Sequence, residues 1–232
     1  QWKDDAFGQD DETVDGNDAA AIFPFPTDSD DHCESPLEAY QDILPLLERL
    51  FPNKNSCKIY DPYYCNGAVK SNLASLGFGN VYNEKEDCYA AWASSSVPEF
   101  DVLITNPPYS EEHIPKLIDF LTSSPLMKNK PWFLLMPQWV SKKDYFCTKW
   151  DKKSFFLLPK DRRYVYVPPK NFREKKASAV HKKSSPFVSM WFVWGGDQTN
   201  ALYKAASRST GCDVARSKNA LRDLRRKGKQ KK

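Results

Sequence analysis

The stretch that decides the fold is "IYDPYYCNGAVKSNLASLGF", residues 59–78. Its first two residues continue an apolar run, so residues 57–60 predict a short buried strand. A turn containing Asp61 and Gly67 follows, and "AVKSNLASLGF" predicts a helix that ends at Gly77. A strand, a tight turn and a helix form the unit from which parallel α/β sheets are built.

Strand and helix patterns alternate on both sides of this stretch. Upstream, "SPLEAY" has capping-box spacing with proline at the first helical position, which predicts a helix over about residues 36–50. Downstream, the predicted strands are "NVYN", "DVLIT", "PWFLLMP", "SFFLLP", "RRYVYVPP" and "PFVSMWFVWGG", and the predicted helices are "EEHIPKLIDFLTSS" and "KKDYFCTKW". This order predicts an α/β fold with a Rossmann-like, doubly wound, mostly parallel sheet, an antiparallel edge strand and helices on both faces.

Charge divides the chain into three parts. Residues 1–30 form an acidic arm with few apolar side chains, which we expect to be disordered. Residues 31–200 contain the strand and helix patterns and are expected to form one folded domain. Residues 201–232 form a basic tail that suits a polyanion such as nucleic acid, although a solvated helical end or a nuclear-import signal has the same composition.

The composition restricts the class of protein. A chain of 232 residues with 41% hydrophobic content can bury one sizeable core. No apolar run approaches the roughly 20 residues of a membrane span. The six cysteines are scattered and lack zinc-site spacing. We therefore expect an intracellular protein, nuclear or cytoplasmic, with reduced thiols, no membrane contact and no bound metal.

Candidate ligand-binding residues follow the predicted parallel strands, because ligands of doubly wound sheets bind beyond the carboxyl ends of the strands. After the first strand come Asp61, Pro62, Tyr63 and Gly67. A backbone that passes close to a ligand needs a glycine, although an ordinary turn between strand and helix has the same pattern.

A second group follows "NVYN", about 20 residues beyond the glycine. Asn83, Glu84 and Asp87 are the candidates there. An acidic side chain in this place can accept hydrogen bonds from ribose hydroxyls, and solvated loop charges are the alternative.

The third group is "DVLITNPPYS", residues 101–110. Its two prolines fix the backbone after a buried strand and remove two N–H donors. The carbonyls of Asn106 and Pro107 are then not used by a neighbouring strand and remain available as acceptors. A rigid turn without a ligand is the alternative interpretation.

These motifs have a resemblance to a known family. "DPYYCNG", "NEKED" and "NPPY", in this order, resemble the motifs of class I S-adenosylmethionine-dependent methyltransferases, in particular the amino-methylating group typified by the N6-adenine enzymes. "ESPLEAY" is similar to the helix before the cofactor strand, and "LPKDRRYVYVPP" with "SSPFVSMWFVW" is similar to the closing strands of phage-type adenine methyltransferases. The resemblance covers about residues 32–196.

The chain departs from that family in two respects. Gly67 stands where the family usually has two or three glycines. The segment between "VYN" and "DVLIT" is too short for a full strand, helix and strand, so the usual third strand is expected to be missing.

The resemblance implies that residues 31–200 are a methyltransferase catalytic domain with S-adenosyl-L-methionine as its cofactor. The implied cofactor-binding residues are Asp61, Pro62, Tyr63, Gly67, Asn83, Glu84 and Asp87. Ser35 and Tyr40 are candidates for contacts with the methionine end, although helix capping also accounts for Ser35.

The implied reaction explains the proline turn. The exocyclic amine of adenine is a poor nucleophile because its lone pair is delocalised into the ring. The Asn106 side-chain oxygen and the Pro107 carbonyl can each accept one N–H of the amine, with Pro107 and Pro108 holding both acceptors rigid, while Tyr109 stacks on the base. The expected function is N6-methylation of adenine in DNA or RNA, with the base flipped or already single-stranded.

Residues outside these motifs are expected to bind the substrate. Arg162 and Arg163 belong to a series of cations interleaved with aromatic residues, which suits phosphates and stacked bases, and a solvated surface is the alternative. Trp139 follows "FLLMPQ" and is expected to line the target pocket unless it packs in the core.

Two other functions remain open. The same proline turn serves enzymes that methylate a lysine or glutamine side chain of a protein. A catalytically weak partner subunit of a nucleic-acid methyltransferase is the other, which the single glycine favours and the intact Asn106–Tyr109 motif disfavours.

Overall fold

A mixed β-sheet forms the centre of the computed structural model, which describes residues 33–110, 112–150, 153–166 and 188–230. Its strands are β1 (Ile59–Tyr60), β2 (Val81–Tyr82), β3 (Val102–Thr105), β4 (Trp132–Pro137), β5 (Phe155–Pro159), β6 (Ser189–Trp194) and β7 (Cys212–Ala215). Within the described residues the order is β2-β1-β3-β4-β6-β5-β7. The first four strands in this order are parallel, and the pairs β4–β6, β6–β5 and β5–β7 are antiparallel.

Helices cover both faces of this sheet. They are α1 (Leu37–Leu50), α2 (Ala68–Ser75), α3 (Cys88–Ala93), α4 (His113–Ser123), α5 (Asp144–Trp150), α6 (Thr199–Ser209) and α7 (Lys218–Gln230). Apolar residues of α1, α2 and α6 pack on one face in a first core, and those of α4, α5 and α7 pack on the other face in a second core. The predicted Rossmann-like α/β fold is therefore confirmed.

The central strands are apolar along their whole length because both of their faces are covered. Every residue of β3 and of β4 is buried. Side chains alternate between the two cores, with Val102 and Ile104 in the first and Leu103 in the second. This explains why "VLIT" and "WFLLMP" lack the alternation of polar and apolar residues that marks a half-exposed strand.

The chain reverses direction along the sheet between β1 and β3. From β1 it passes through α2 to β2 on one side, then through α3 to β3 on the other side of β1, and through α4 to β4 beyond. The carboxyl ends of β1 and β3 therefore flank the topological switch point, where doubly wound sheets bind ligands. Within the described residues, α3 lies alone between β2 and β3, as the short segment predicted.

Two local predictions are wrong. Helix α1 begins after Pro36, which has the extended backbone of an N-cap and no side-chain acceptor, so Ser35 does not cap the helix. Residues 162–166 of the stretch "RRYVYVPP" are not a strand. The edge of β5 away from β6 is occupied by β7 instead.

The C-terminal residues belong to the fold rather than to a tail. Leu202 and Ala206 of α6 are buried in the first core, β7 pairs with β5, and Leu221 of α7 is buried in the second core. The boundary expected at residue 200 is therefore wrong. The segment was assigned from its basic composition, which gave no sign of the strand and the two amphipathic helices. The acidic arm, residues 1–30, lies outside the described residues.

No helix within the described ranges combines the length and apolar character needed to cross a membrane.

Candidate active site at the carboxyl ends of the parallel strands

Asp61 and Thr105 join the two strands of the switch point. Asp61 follows β1 and is 6% exposed, and its Oδ1 accepts a hydrogen bond from Thr105 Oγ1, at the end of β3, at 2.5 Å. The backbone N–H of Tyr63 donates to the same oxygen at 3.2 Å. Among the described residues, no lysine or arginine forms an ion pair with Asp61. Burial raises the pKa of Asp61 to about 7, because these hydrogen bonds only partly offset the loss of hydration.

The turn between β1 and α2 needs a glycine for its backbone conformation. Gly67 is the N-cap of α2 and has φ of +82°, in the left-handed region. A Cβ there would lie 3.6 Å from the Tyr64 ring, an ordinary contact distance, so backbone conformation rather than lack of space demands the glycine. This geometry fits the alternative of an ordinary turn between strand and helix, and the role of Gly67 in binding a cofactor stays a prediction.

Glu34 lies over the same turn and was missed in the sequence. Its Oε1 accepts hydrogen bonds from the backbone N–H groups of Asn66, at 2.6 Å, and of Ala68, at 3.4 Å. A carboxylate is favourable at the start of a helix, where backbone N–H groups lack partners. The chain just before α1 is thereby held against the start of α2.

Asn83 has one buried polar atom without a partner. The side chain is 1% exposed, and Nδ2 donates to the backbone oxygens of Asp61, at 3.1 Å, and of Tyr63, at 3.3 Å. Its Oδ1 accepts no hydrogen bond among the described residues. A buried acceptor left in this state is costly, so a ligand donor at this position would stabilise the protein.

The two acids after Asn83 have different surroundings. Glu84 is exposed and forms an ion pair with Lys70 of α2 at 2.5 Å. Asp87 is the N-cap of α3, where its Oδ1 accepts from the N–H groups of Tyr89 and Ala90. Helix capping accounts for Asp87, and Glu84 is the acid that remains on the surface beside β2.

Ser35 and Tyr40 lie on the first-core side of this site. Burial raises the pKa of Tyr40 strongly, and the nearby charges of Asp61 and Glu34 raise it further, whereas the Ser35 side chain opposes the rise. Tyr40 is therefore within electrostatic range of the Asp61 carboxyl, and Ser35 is a neighbour of the Tyr40 hydroxyl. Tyr40 also packs against Trp191 of β6, with ring centroids 6.1 Å apart.

The proline turn follows β3, with Tyr109 folded back onto it. The Tyr109 hydroxyl donates to Asn106 Oδ1 at 2.7 Å and lies 3.5 Å from the backbone oxygen of Leu135 in β4. Pro107 is buried, and no hydrogen bond among the described residues uses its carbonyl. The Asn106 oxygen is thus satisfied by a group that can be exchanged for another N–H or O–H donor.

Tyr166 completes this part of the site and was missed because the sequence predicted a strand there. Its hydroxyl lies 3.2 Å from that of Tyr109. Burial raises the pKa of Tyr166 to about 12, and the neighbouring hydroxyls of Ser189 and Tyr109 oppose that rise. The Tyr109 hydroxyl, which holds the Asn106 oxygen, therefore lies beside the hydroxyl of Tyr166 and near that of Ser189.

An aromatic cluster lies on the second-core side of the turn after β1. Tyr63 Oη is 3.4 Å from Tyr89 Oη of α3, and the Tyr89 hydroxyl is hydrogen-bonded to His113 Nδ1 at the start of α4. The rings of Tyr89 and His113 are stacked with centroids 5.8 Å apart. The three residues are distant in sequence, so no local pattern could identify the cluster.

The predicted substrate-binding residues are not all in this region. Arg162 Nη2 is bound to both carboxylate oxygens of Asp42 in α1, at 2.5 and 2.6 Å, and Tyr164 donates to the same carboxylate at 2.6 Å. Arg163 is exposed. Arg162 therefore pairs with a buried carboxylate of α1, and its predicted contact with a substrate stays a prediction.

Trp139 lies just beyond β4, in a short 3₁₀ helix, Gln138–Lys142. Its ring is half-buried against the second core, with Lys143 Nζ 5.4 Å from the ring centroid. It follows the carboxyl end of β4, and its packing agrees with the core-packing alternative, while a role in lining a target pocket stays a prediction.

The remaining side chains of the described ranges form no group of three or more His, Cys, Asp or Glu that could hold a metal ion. Comparisons of the chain with family models and with curated proteins give no match. The fold and the site together define a Rossmann-like α/β protein in which the hydrogen-bonded side chains of Asp61 and Thr105 lie at the switch point.

Proposed function

We propose that this protein is an S-adenosylmethionine-dependent methyltransferase that modifies the exocyclic amine of adenine in DNA or RNA. The observation that supports the proposal is the position of Asn106-Pro107-Pro108-Tyr109 directly after β3. The Thr105–Asp61 hydrogen bond connects this motif to the turn that ends at Gly67. The motif and the turn are therefore on the two strands that flank the switch point.

The residues around Asp61 fit the proposed cofactor. A buried carboxyl with a raised pKa and no cationic partner among the described residues gains from a positive ligand. S-adenosylmethionine has two positive groups, an ammonium and a sulfonium. Asn83 Oδ1 lacks a donor, and the Glu84 carboxylate is exposed at the end of β2, where ribose hydroxyls can supply donors.

When bound, S-adenosylmethionine supplies a methyl group, whose bond to sulfur breaks with the electron pair staying on sulfur as the amine nitrogen forms its new bond. Asn106 Oδ1 and the Pro107 carbonyl accept the two N–H groups of the amine. These contacts favour a pyramidal nitrogen with a localised lone pair. The excess proton leaves to water after nitrogen has become positively charged, so a strong base is not required.

Tyr109 has two roles in this proposal. In the present conformation its hydroxyl holds the Asn106 acceptor that the amine needs. Rotation of the side chain releases this acceptor and frees the ring to stack on a base, which suits a flipped or single-stranded target. The phenol of Tyr166 remains as an alternative hydrogen-bond partner for the displaced hydroxyl.

The test is methyl transfer from labelled S-adenosylmethionine to defined acceptors. Single-stranded oligonucleotides with one adenine, the same sequences with guanine or cytosine instead, and peptides containing lysine or glutamine are incubated with the protein. We expect label on the adenine oligonucleotides, identified as N6-methyladenine by mass spectrometry. Label on a peptide alone would replace this proposal with protein methylation, and binding of the cofactor without transfer to any acceptor would favour a partner subunit.

A further inference from the structure

Gln138, at the end of β4, has a buried side-chain amide that forms no hydrogen bond within the part of the chain that the structure describes. The residue is 4% exposed, and neither its side-chain oxygen nor its side-chain nitrogen has a partner among the described residues. Burying an amide without hydrogen-bond partners destabilises a protein. A leucine or methionine of similar size would avoid that cost, so the amide needs another explanation.

The position of Gln138 relates it to the proline turn. Its backbone N–H donates to Val188 at 2.8 Å, and the preceding Pro137 pairs with Ser189. Ser189 lies beside the hydroxyls of Tyr109 and Tyr166. Gln138 is therefore the residue after the strand position whose partner, Ser189, lies beside the Tyr109 hydroxyl.

The spacing along β4 suits a base between the two amides. Asn106 follows Thr105, which pairs with Leu134, and the Tyr109 hydroxyl reaches the oxygen of Leu135. Gln138 is three residues farther along the chain, about 10 Å of extended backbone. This is the scale of one base together with its hydrogen-bond partners on two sides.

We propose that Gln138 determines the base specificity of the proposed methyl transfer by donating an Nε2–H hydrogen bond to a ring nitrogen of the target adenine. This inference rests on the proposed function. If Asn106 and Pro107 accept both N–H groups of the amine, the ring nitrogens next to it, N1 and N7, are the acceptors that remain on that side of the base. Glutamine amides are common partners of adenine, and a base that leaves a buried amide donor without its acceptor is disfavoured by about 10- to 100-fold.

The test combines protein variants with altered bases. Gln138→Leu removes both polar atoms, and Gln138→Met does so with an unbranched side chain in case leucine disturbs the packing. Gln198→Leu is the matched control, because Gln198 is exposed after the antiparallel strand β6 and caps no helix with its side chain. The acceptors are an adenine oligonucleotide and its analogues in which carbon replaces N1 or N7.

We expect wild type and Gln198→Leu to methylate adenine about 10- to 100-fold faster, in kcat/KM, than one of the two analogues. Gln138→Leu or Gln138→Met should lower the rate on adenine by the same factor, and their rates on adenine and on that analogue should agree within about twofold. Their affinity for S-adenosylmethionine should be unchanged, and their melting temperature should be unchanged or higher because an unpaired buried amide has been removed.

Two outcomes would overturn the inference, and they are distinguishable. If wild type methylates adenine but the Gln138 variants remain as sensitive to the ring nitrogen as wild type, Gln138 has no part in recognition and the proposed function stands. If wild type methylates no adenine acceptor, the proposed function fails and the role of Gln138 fails with it.

Discussion

Two buried aspartates show how different two regions of this protein are. Asp42, on α1, is 7% exposed and is bound by Arg162 and Tyr164. Asp61, at the switch point, is 6% exposed, yet among the described residues only neutral groups donate to it, and its pKa is raised to about 7. The first region satisfies its charge internally and so stabilises the fold. Within the described residues, the second leaves a carboxyl without a cationic partner and the Asn83 oxygen and the Gln138 side-chain amide without hydrogen bonds, which is typical of a site that binds a ligand.

The largest effect is expected at the proline turn. Asn106→Ala should lower the methyl-transfer rate by about 10²-fold or more, the usual scale for loss of one preorganised acceptor in a transition state. Affinity for S-adenosylmethionine should change little, because Asn106 is proposed to bind the acceptor. Single-turnover kinetics with labelled cofactor would measure the rate.

Asn80→Ala is the matched control, since Asn80 is exposed just before β2, at the opposite edge of the sheet. Full turnover by Asn106→Ala would show that the turn is structural only, and the contrast between the two regions would then have no catalytic meaning.

The two aspartates should also differ in their effect on pH dependence. Because the folded-state pKa of Asp61 is raised from 3.8 to about 7, folding favours its protonated form. Its contribution to stability is complete below the unfolded-state pKa and is lost as the pH rises through about 7. Thermal melts from about pH 4 to about pH 8 should show this loss in wild type and not in Asp61→Asn, which keeps the Thr105 hydrogen bond.

Asp197→Asn, at an exposed aspartate, serves as the control for this experiment. If the melting temperatures of wild type and Asp61→Asn depended on pH in the same way, Asp61 would be charged in the folded protein over this whole pH range. Its region would then resemble that of Asp42.

Tyr109 allows the ring and the hydroxyl to be separated. Tyr109→Ala should weaken binding of the adenine substrate by about 1–3 kcal/mol, the usual contribution of one aromatic side chain stacked on a base. Tyr109→Phe keeps the ring and removes the hydroxyl that holds Asn106 Oδ1, so its rate should equal or exceed that of wild type. Equal losses in both variants, measured as kcat/KM on an adenine oligonucleotide, would contradict the stacking role.

The smallest effect on function is expected around Asp42. Arg162→Met should lower the free energy of unfolding by about 1–3 kcal/mol, since it leaves the Asp42 carboxylate buried with Tyr164 as a partner. Arg163→Met, at the exposed neighbour, should change it by less than about 0.5 kcal/mol. Urea denaturation measures both. A loss of nucleic-acid affinity in Arg162→Met, without loss of stability, would return Arg162 to the substrate-binding role expected from the sequence.

The sequence predicts elements whose patterns are local. The helix over 36–50 and the buried strands "DVLIT" and "PWFLLMP" were identified because periodicity and continuous apolar runs are properties of adjacent residues. The turn with Gly67 was identified from its place between a strand and a helix, whereas the left-handed backbone of the glycine is seen only in the structure. Strand β7 was missed because residues 201–232 were read as one basic tail from their composition, and the short pattern of β7 was given less weight.

The chemical environment of the site could not be predicted in the same way. The Asp42–Arg162 pair joins residues 120 positions apart, and the Thr105–Asp61 bond joins residues 44 apart. Gln138 resembles any polar residue after a strand until its burial and lack of partners are known. Contacts of this kind depend on tertiary packing, which a single sequence does not encode locally.

Calorimetric titration with S-adenosylmethionine tests most directly whether the switch-point region is a cofactor site. Wild type and Gly79→Trp, at a glycine with open space around it, should bind the cofactor with the same affinity. Gly67→Ala has the strain of a left-handed φ at a non-glycine residue and little added bulk, so it controls for the effect of that strain on binding. Gly67→Trp has the same strain and adds bulk at the start of α2, so it should abolish cofactor binding while remaining folded by circular dichroism. Binding by folded Gly67→Trp at wild-type affinity, or no binding by wild type, would contradict the proposal that this region binds S-adenosylmethionine.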